Sequence, residues 1–312
     1  MPSVTGDRSS LLVRRAALAS VALALGLVLL KLTAALVTGS IAVLSSLVDS
    51  LADVVASAIT WASVRVSRQP PDRAHRFGHG KAEALSALAQ STLVLASALF
   101  VVTAAAQRAI DPRPVRAEAA GIAVMLAAMV LTGLLLAFQW HVVRRTGSQA
   151  IAADSLHYRA DLATNLAVLV SLVVASRFGL PWLDGLTGIA IAFWLATGAA
   201  RIGRQAIDTL MDRELPDPLR SKIEATVRAH PEVVDLHDLR TRRSGGTVFI
   251  EMHLELPPTM TVREAHAVCE AVEDELRALF PGAEIVLHQE PAGIADLRLD
   301  DRIRRPAGPA SR

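Results

Sequence analysis

Cysteine is almost missing from this chain. Cys269 is the only one in 312 residues, which rules out an internal disulfide and a multi-cysteine zinc site. Charge is scarce as well: 20% of residues are charged, 52% are hydrophobic, and the mean hydropathy is +0.39. That balance excludes an ordinary soluble domain and fits a protein that crosses a membrane several times. The net charge is only +2, and the basic residues fall in loops and tails, so no nucleic-acid partner is expected. There is no G-x-x-x-x-G-K-[ST] motif and no G-x-G-x-x-G after a strand, which argues against ATP-driven pumping by this chain. The segment HRFGH, from His75 to His79, lacks the glutamate that H-E-x-x-H supplies as general base in a metalloprotease. No small-residue cleavage signature follows the first apolar segment, and that segment is long enough to remain as a span.

What is present is six apolar stretches, near 12–35, 41–64, 84–107, 117–141, 150–175 and 182–203. Each is close to the roughly 20 residues that cross a hydrocarbon core. Short connections carry turn and breaker residues, among them Gly39, Pro112, Pro114, Gly179 and Pro181. Lys and Arg in the short loops number ten on the side of the N-terminus and four on the other. By the positive-inside rule, both termini are cytoplasmic. Arg108, Arg113 and Arg116 dissent, although Asp111 and Glu118 flank them.

Beyond about 205 the composition changes. Residues 216–230 and 261–280 read as amphipathic helices, and 232–242, 247–256 and 283–288 as strands. The fold class is therefore a six-helix transmembrane bundle followed by a small α+β domain of order α-β-β-α-β. The expected boundaries are a tail at 1–11, a membrane domain at 12–208, a soluble domain at 209–292 and a disordered tail at 293–312.

Two acids, Asp49 and Asp53, are the only ionisable residues in the second apolar stretch. The fifth carries His157 and Asp161 at the same spacing. On a helix, i and i+4 share a face and lie roughly 6 Å apart. A charge at bilayer depth costs at least about 2.5 kcal/mol, and two like charges cost more unless a cation or protons occupy the site. Three carboxylates and an imidazole match a tetrahedral O/N site for a divalent metal such as Zn²⁺. Lys31 and Arg159, near span ends, are expected to reach for the interface.

The second-to-third loop contains Asp72, His75 and His79, a set that can bind a metal and equally fits a solvated loop. Gly78 and Gly80 leave the backbone free to bend there. The soluble domain carries His237, His253, His266, His288 and Glu290, and spacing alone leaves these as ordinary surface residues or as a cluster.

The segments GSIAVLSSLVDSLAD, FGHGKAEALSALAQS, DSLHYRADLATN, LMDRELPD, HDLRTRRSG and HQE together resemble the cation diffusion facilitators, most closely their bacterial zinc and ferrous-iron efflux branch. The resemblance spans about residues 12–291. It implies a homodimer in the bacterial inner membrane, with a metallochaperone-like cytoplasmic domain and no organic cofactor. It makes Asp49, Asp53, His157 and Asp161 the transport site, and Asp72, His75 and His79 a loop-borne site. It makes His237, His253, His266 and His288 a cytoplasmic cluster at the dimer contact. Glu290 stands where the pattern has aspartate. Lys81 and Asp212 would form a charge pair. The implied activity is export of Zn²⁺, then Cd²⁺, with Fe²⁺, Co²⁺ and Ni²⁺ behind them, in exchange for H⁺. The rival readings are an intramembrane metal-dependent hydrolase, which needs an open metal position and a general base, and a non-transporting metal sensor.

Overall fold

The computed structural model describes residues 4–38, 41–110, 119–178, 182–294 and 298–304. The chain divides into two units, Met1–Leu210 and Met211–Arg312.

The first unit consists of α1 (Val4–Thr38), α2 (Ile41–Ser67), α3 (Ala82–Ile110), α4 (Ala119–Thr146), α5 (Gln149–Phe178) and α6 (Trp182–Leu210). At 1.5 Å per residue each is about 40–50 Å long, more than a hydrocarbon core needs. Among the described residues, α1, α3, α4 and α6 hold stretches long and apolar enough to cross a membrane. The other two helices, α2 and α5, carry Asp49, Asp53, His157 and Asp161. They pack inside the bundle: α2 against α1, α3 and α5, and α5 against α1, α3, α4 and α6.

Small residues make this packing possible. Ala16, Ala17, Ala24, Ala87, Ala98, Ala153, Ala199 and Ala206 are buried between helices. A Cβ on Gly203 of α6 would lie 2.9 Å from Ser91 Oγ of α3, so the two backbones approach as closely as glycine allows. Large apolar side chains face outward instead, with Phe100 73% and Phe193 72% exposed. Small inside and large outside is the pattern of helices solvated by lipid, where packing rather than water exclusion draws helices together. Three helices are also tied by a polar knot. Asp154 of α5, fully buried, accepts hydrogen bonds from Ser20 Oγ of α1 at 2.6 Å and from Gln139 Nε2 of α4 at 2.7 Å.

The second unit consists of α7 (Asp217–Arg228), β1 (Asp235–Ser244), β2 (Thr247–Leu256), α8 (Val262–Leu279), β3 (Glu284–Pro291) and α9 (Leu299–Arg304). The sheet order is β1-β2-β3, with β1 and β2 antiparallel and β3 parallel to β2. Gly245, at φ 57°, turns the β1–β2 hairpin. The parallel pairing needs a crossover, and α8 supplies it. Ile223 and Val227 of α7, Ile250, Met252 and Leu254 of β2, and Val268, Cys269, Val272 and Leu276 of α8 share one core. Cys269 thus packs as a small apolar residue within that core.

The expected order of six helices and then α-β-β-α-β holds, with two differences at the ends. α1 begins at Val4 rather than near residue 12. Part of the tail expected to be disordered forms α9, because Asp238 caps it: its carboxylate accepts from the amides of Leu299 at 2.8 Å and Asp300 at 2.9 Å. Residues 305–312 lie outside the described residues.

The entry to α8 is a capping box. Thr261 Oγ1 accepts from the Glu264 amide, and the Glu264 carboxylate accepts from the Thr261 amide at 2.8 Å. The same bonds, from the Thr261 amide first and then its hydroxyl, hold the Glu264 carboxyl below its usual range. That contribution is therefore complete above the ordinary glutamate pKa and is lost as pH falls through the lower, folded value. Replacing Thr261 by Ala removes a cap worth about 1 kcal/mol. Hydrogen exchange at residues 262–265 of the full chain should accelerate about fivefold, a factor matching that energy. Unchanged exchange would show that the box does not hold the helix start.

Candidate metal sites

Within the bundle, α2 presents Asp53 and α5 presents His157 and Asp161. His157 Nε2 lies 3.0 Å from Asp53 Oδ1 and 3.8 Å from Asp161 Oδ2. One ligand atom from each of the three falls within 4.8 Å of the others. Two carboxylate oxygens and an imidazole nitrogen converging at that range form an O/N donor set suited to a divalent cation of borderline softness. Asp49, the fourth expected member, is one helical turn from Asp53, is exposed, and stands outside that set of three.

Lys31 does not reach for the interface. Its ammonium donates to Ser46 O at 3.1 Å and to Ser50 Oγ at 2.7 Å, both on α2. Positive charge is thereby held beside the helix that bears the two acids. The Tyr158 hydroxyl donates to Ser20 O at 3.1 Å and accepts from Ser57 Oγ at 2.8 Å. These bonds fix α5 against α1 and α2 one residue from His157. Neither Asp154 nor Tyr158 is among the residues singled out from the sequence. Asp154 shares its helix face with His157 and Asp161 through the i, i+3, i+7 spacing, a signal that was there to be read.

The loop set forms around Asp72. Its Oδ1 accepts from the amides of His75 at 2.7 Å and Ala74 at 2.8 Å, and these amides, His75 first, hold its carboxyl below the usual aspartate range. His75 Nδ1 and His79 Nε2 lie 3.5 and 3.4 Å from the two carboxylate oxygens. Gly78 sits at φ 77°, so a side chain there would be strained; the bend at Gly80 needs no positive φ. His79 Nδ1 is buried without a hydrogen-bond partner among the described residues. The carboxylate faces the other ring nitrogen, Nε2, so the imidazole has one nitrogen toward Asp72 and one still without a partner among the described residues.

The third set lies on the sheet, and strand register builds it. His237 of β1 pairs with His253 of β2, which pairs with His288 of β3. Three imidazoles therefore form one row across three strands. Ring centroids are 5.0 Å apart for the first pair and 4.8 Å for the second. Glu290, the departure from the family pattern, sits at the centre of them. Its Oε1 is 2.7 Å from His253 Nδ1 and 3.5 Å from His288 Nε2, and its Oε2 is 3.3 Å from His237 Nε2. His237, His253 and Glu290 offer ligand atoms within 4.8 Å of one another. The His237 side chain is only 4% exposed, and neither ring nitrogen has a hydrogen-bond partner among the described residues. A buried polar atom left unpaired costs about 1–3 kcal/mol, and a bound cation would remove part of that cost. His266 is elsewhere: it projects from α8 beside Glu270 at 3.6 Å, both well exposed, and lies outside the set.

The charge pair expected between Lys81 and Asp212 has these surroundings in each unit. Lys81 Nζ donates to Leu210 O at the end of α6, at 3.2 Å. Asp212 adopts φ 56°, and its carboxylate faces Arg242 at 3.4 Å.

Comparison with known proteins places this geometry in a family. The profile of the cation efflux transmembrane domain matches residues 17–211, and that of the cation efflux protein cytoplasmic domain matches 215–292. The cation-efflux pump FieF of Cronobacter sakazakii is 46% identical over 283 residues, 91% of this chain and 94% of its own. The FieF pump of Klebsiella pneumoniae is 44% identical over the same shares. A metal-bound C-terminal domain of the CzcD transporter from Thermotoga maritima is 29% identical over 25% of this chain and 93% of its own, with a TM-score of 0.25. With both domain profiles matched in sequence order and relatives alike over nine-tenths of its length, this chain belongs to the cation efflux family, the cation diffusion facilitators, as a membrane transporter and not an enzyme.

Proposed function

We propose that this chain exports Zn²⁺ by proton-coupled alternating access, with Asp49, Asp53, His157 and Asp161 as the transport site. One observation carries the reading: Asp53, His157 and Asp161 converge from two helices of a bundle whose other four are long and apolar enough to cross a membrane. A metal needs neutral imidazole and ionised carboxylates, so loading the site displaces protons. Histidine exchanges protons near neutral pH, which suits it to the coupling. The cytoplasmic side favours the loaded site, and the more acidic outer side favours proton uptake and metal release. One Zn²⁺ for two H⁺ is electroneutral and runs on the pH gradient. One for one works against the potential, at about 2.3 kcal/mol per charge and 100 mV.

The imidazole directs selectivity to Zn²⁺ and Cd²⁺ over Mn²⁺, since an all-oxygen shell suits the harder ion better. Both termini face the cytoplasm of a bacterial inner membrane, on the asymmetry of Lys and Arg. The second unit works there as a regulatory domain in a homodimer. Metal at His237, His253 and Glu290, joined by His288 and by His266 in the dimer, favours one arrangement of the protomers. Asp72, His75 and His79 hold a further ion. The domains run over 12–208 and 209–292.

Replacing Asp161 by Ala should lower Zn²⁺ flux into reconstituted vesicles at least about 100-fold, since loss of an outer-shell partner alone costs 10–100-fold. Wild-type flux in the folded variant would remove Asp161 from the site. His157→Asp should lower the Zn²⁺/Mn²⁺ flux ratio, and an unchanged ratio would place selectivity elsewhere. For the sheet cluster, Glu290→Ala should reduce the number of Zn²⁺ ions bound per chain in calorimetry. Unaltered stoichiometry and affinity would mean that Glu290 is no ligand.

A further inference from the structure

His237 has a rival for its carboxylate partner. Its Nδ1 points at Glu255 Oε1 across 3.5 Å, a separation at which no hydrogen bond forms. The same oxygen is held by Arg298, which donates to it through its second terminal guanidinium nitrogen. Arg298 precedes α9 and lies 43 residues from Glu255 in the chain. Its other terminal nitrogen is 3.8 Å from Asp235 Oδ2. Asp235 and Glu255 are cross-strand partners on β1 and β2, and two like charges directly opposite destabilise a sheet. Arg228, which donates to Asp235 Oδ1 at 2.5 Å, and Arg298, which spans both acids, relieve that repulsion. The residues after Arg298 anchor it: the amides of Leu299 and Asp300 donate to Asp238, and the Asp238 amide donates to Asp300 Oδ2 at 3.2 Å. Asp238 follows His237 directly, in the bulge between His237 and Arg240, at φ 52°. A polar cavity of about 240 Å³, lined by Arg228, Asp235, His237 and Arg298 among others, adjoins the pair and leaves the guanidinium room to swing away.

A histidine that ligates a metal through Nε2 donates its Nδ1–H to a carboxylate or carbonyl, and that bond fixes the ring and strengthens the ligand. At His237 the candidate acceptor is Glu255. We propose that Glu255 is the positioning residue for His237, and that the segment Arg298–Arg304 is a built-in competitor for it, so that the tail sets the metal affinity of the sheet cluster. In the state described, Arg298 has Glu255, and both His237 nitrogens are left unpaired. When a cation binds at Nε2, the ring N–H becomes a stronger donor and draws Glu255 from Arg298. By reciprocity of coupled equilibria, metal then loosens the tail as much as the tail weakens metal binding. The inference rests on the reading of His237, His253 and Glu290 as a metal site.

The test uses the full-length protein in detergent, with Asp53→Ala and Asp72→Ala to silence the other two sites. Zn²⁺ affinity is measured by chelator competition. In that background, Arg298→Ala should tighten binding about tenfold, and Glu255→Gln should weaken it about tenfold, the lower end of the range for outer-shell partners. The two changes should not add: in the Glu255→Gln protein, Arg298→Ala should have no further effect. Zn²⁺ should also speed hydrogen exchange over residues 299–304, and it should fail to do so in the Glu255→Gln protein. Arg298→Ala that weakens binding or leaves it unchanged overturns the proposal. So does an Arg298→Ala effect that persists undiminished in the Glu255→Gln background, because the carboxylate would then play no part. A His253→Ala control separates the two readings: if it leaves Zn²⁺ affinity intact, the cluster is no metal site, and that failure belongs to the functional reading.

Discussion

A carboxylate enclosed by apolar helices has few ways to remain there. It needs a positive charge, hydrogen-bond donors or a bound cation, because water is not at hand to solvate it. The first unit uses the first two of these devices, and the proposed transport site would use the third. Asp154 takes donors from Ser20 and Gln139. Asp53 takes the His157 ring. The ammonium of Lys31 is turned onto α2 beside Asp49 and Asp53 rather than outward. Glu83, buried near the start of α3, accepts from Ser148 Oγ at 2.6 Å where α5 begins. Each such bond links two helices, so the demand for compensation also decides which helices touch.

The interior that surrounds these groups is rich in alanine, glycine and serine among a smaller number of buried leucines, valines and isoleucines, and many large side chains are turned to the outside. Such a bundle gains little from expelling water, and close contact with directed hydrogen bonds has to orient its helices. Polar groups therefore act here as joints between helices. The second unit is organised in the opposite sense, with leucine, isoleucine and valine between its helices and sheet. The register of its three strands puts the imidazoles in line.

Sequence went furthest as a guide where spacing alone decides geometry. The shared face of His157 and Asp161 on α5 was legible because a helix converts spacing into direction, whereas the same spacing on α2 brings Asp53 but not Asp49 into the set of three. The α-β-β-α-β order was legible too, since apolar periodicity marks it. Contacts made by chain ends and by register were not legible. Lys31 looked like an interfacial lysine, and only the packing of α1 on α2 shows where its ammonium goes. The convergence of Glu290 with His237 depends on a bulge after His237 and on a parallel pairing closed over α8. The anchoring of α9 depends on Asp238, some 60 residues earlier, within a segment whose Arg, Pro and Gly content reads as unstructured.

The parallel placement of β3 has a bearing on the timing of synthesis. Its neighbour in the sheet is completed at Leu256, but Glu290 arrives only after the whole of α8 has been made. A chain emerging at about 5–20 residues per second thus exposes His237 and His253 for a few seconds before the carboxylate between them exists. During that interval the hairpin carries two imidazoles without the Glu290 carboxylate. If the sheet cluster holds a metal as proposed, its donor set is complete only once β3 has been made, after the six helices ahead of it.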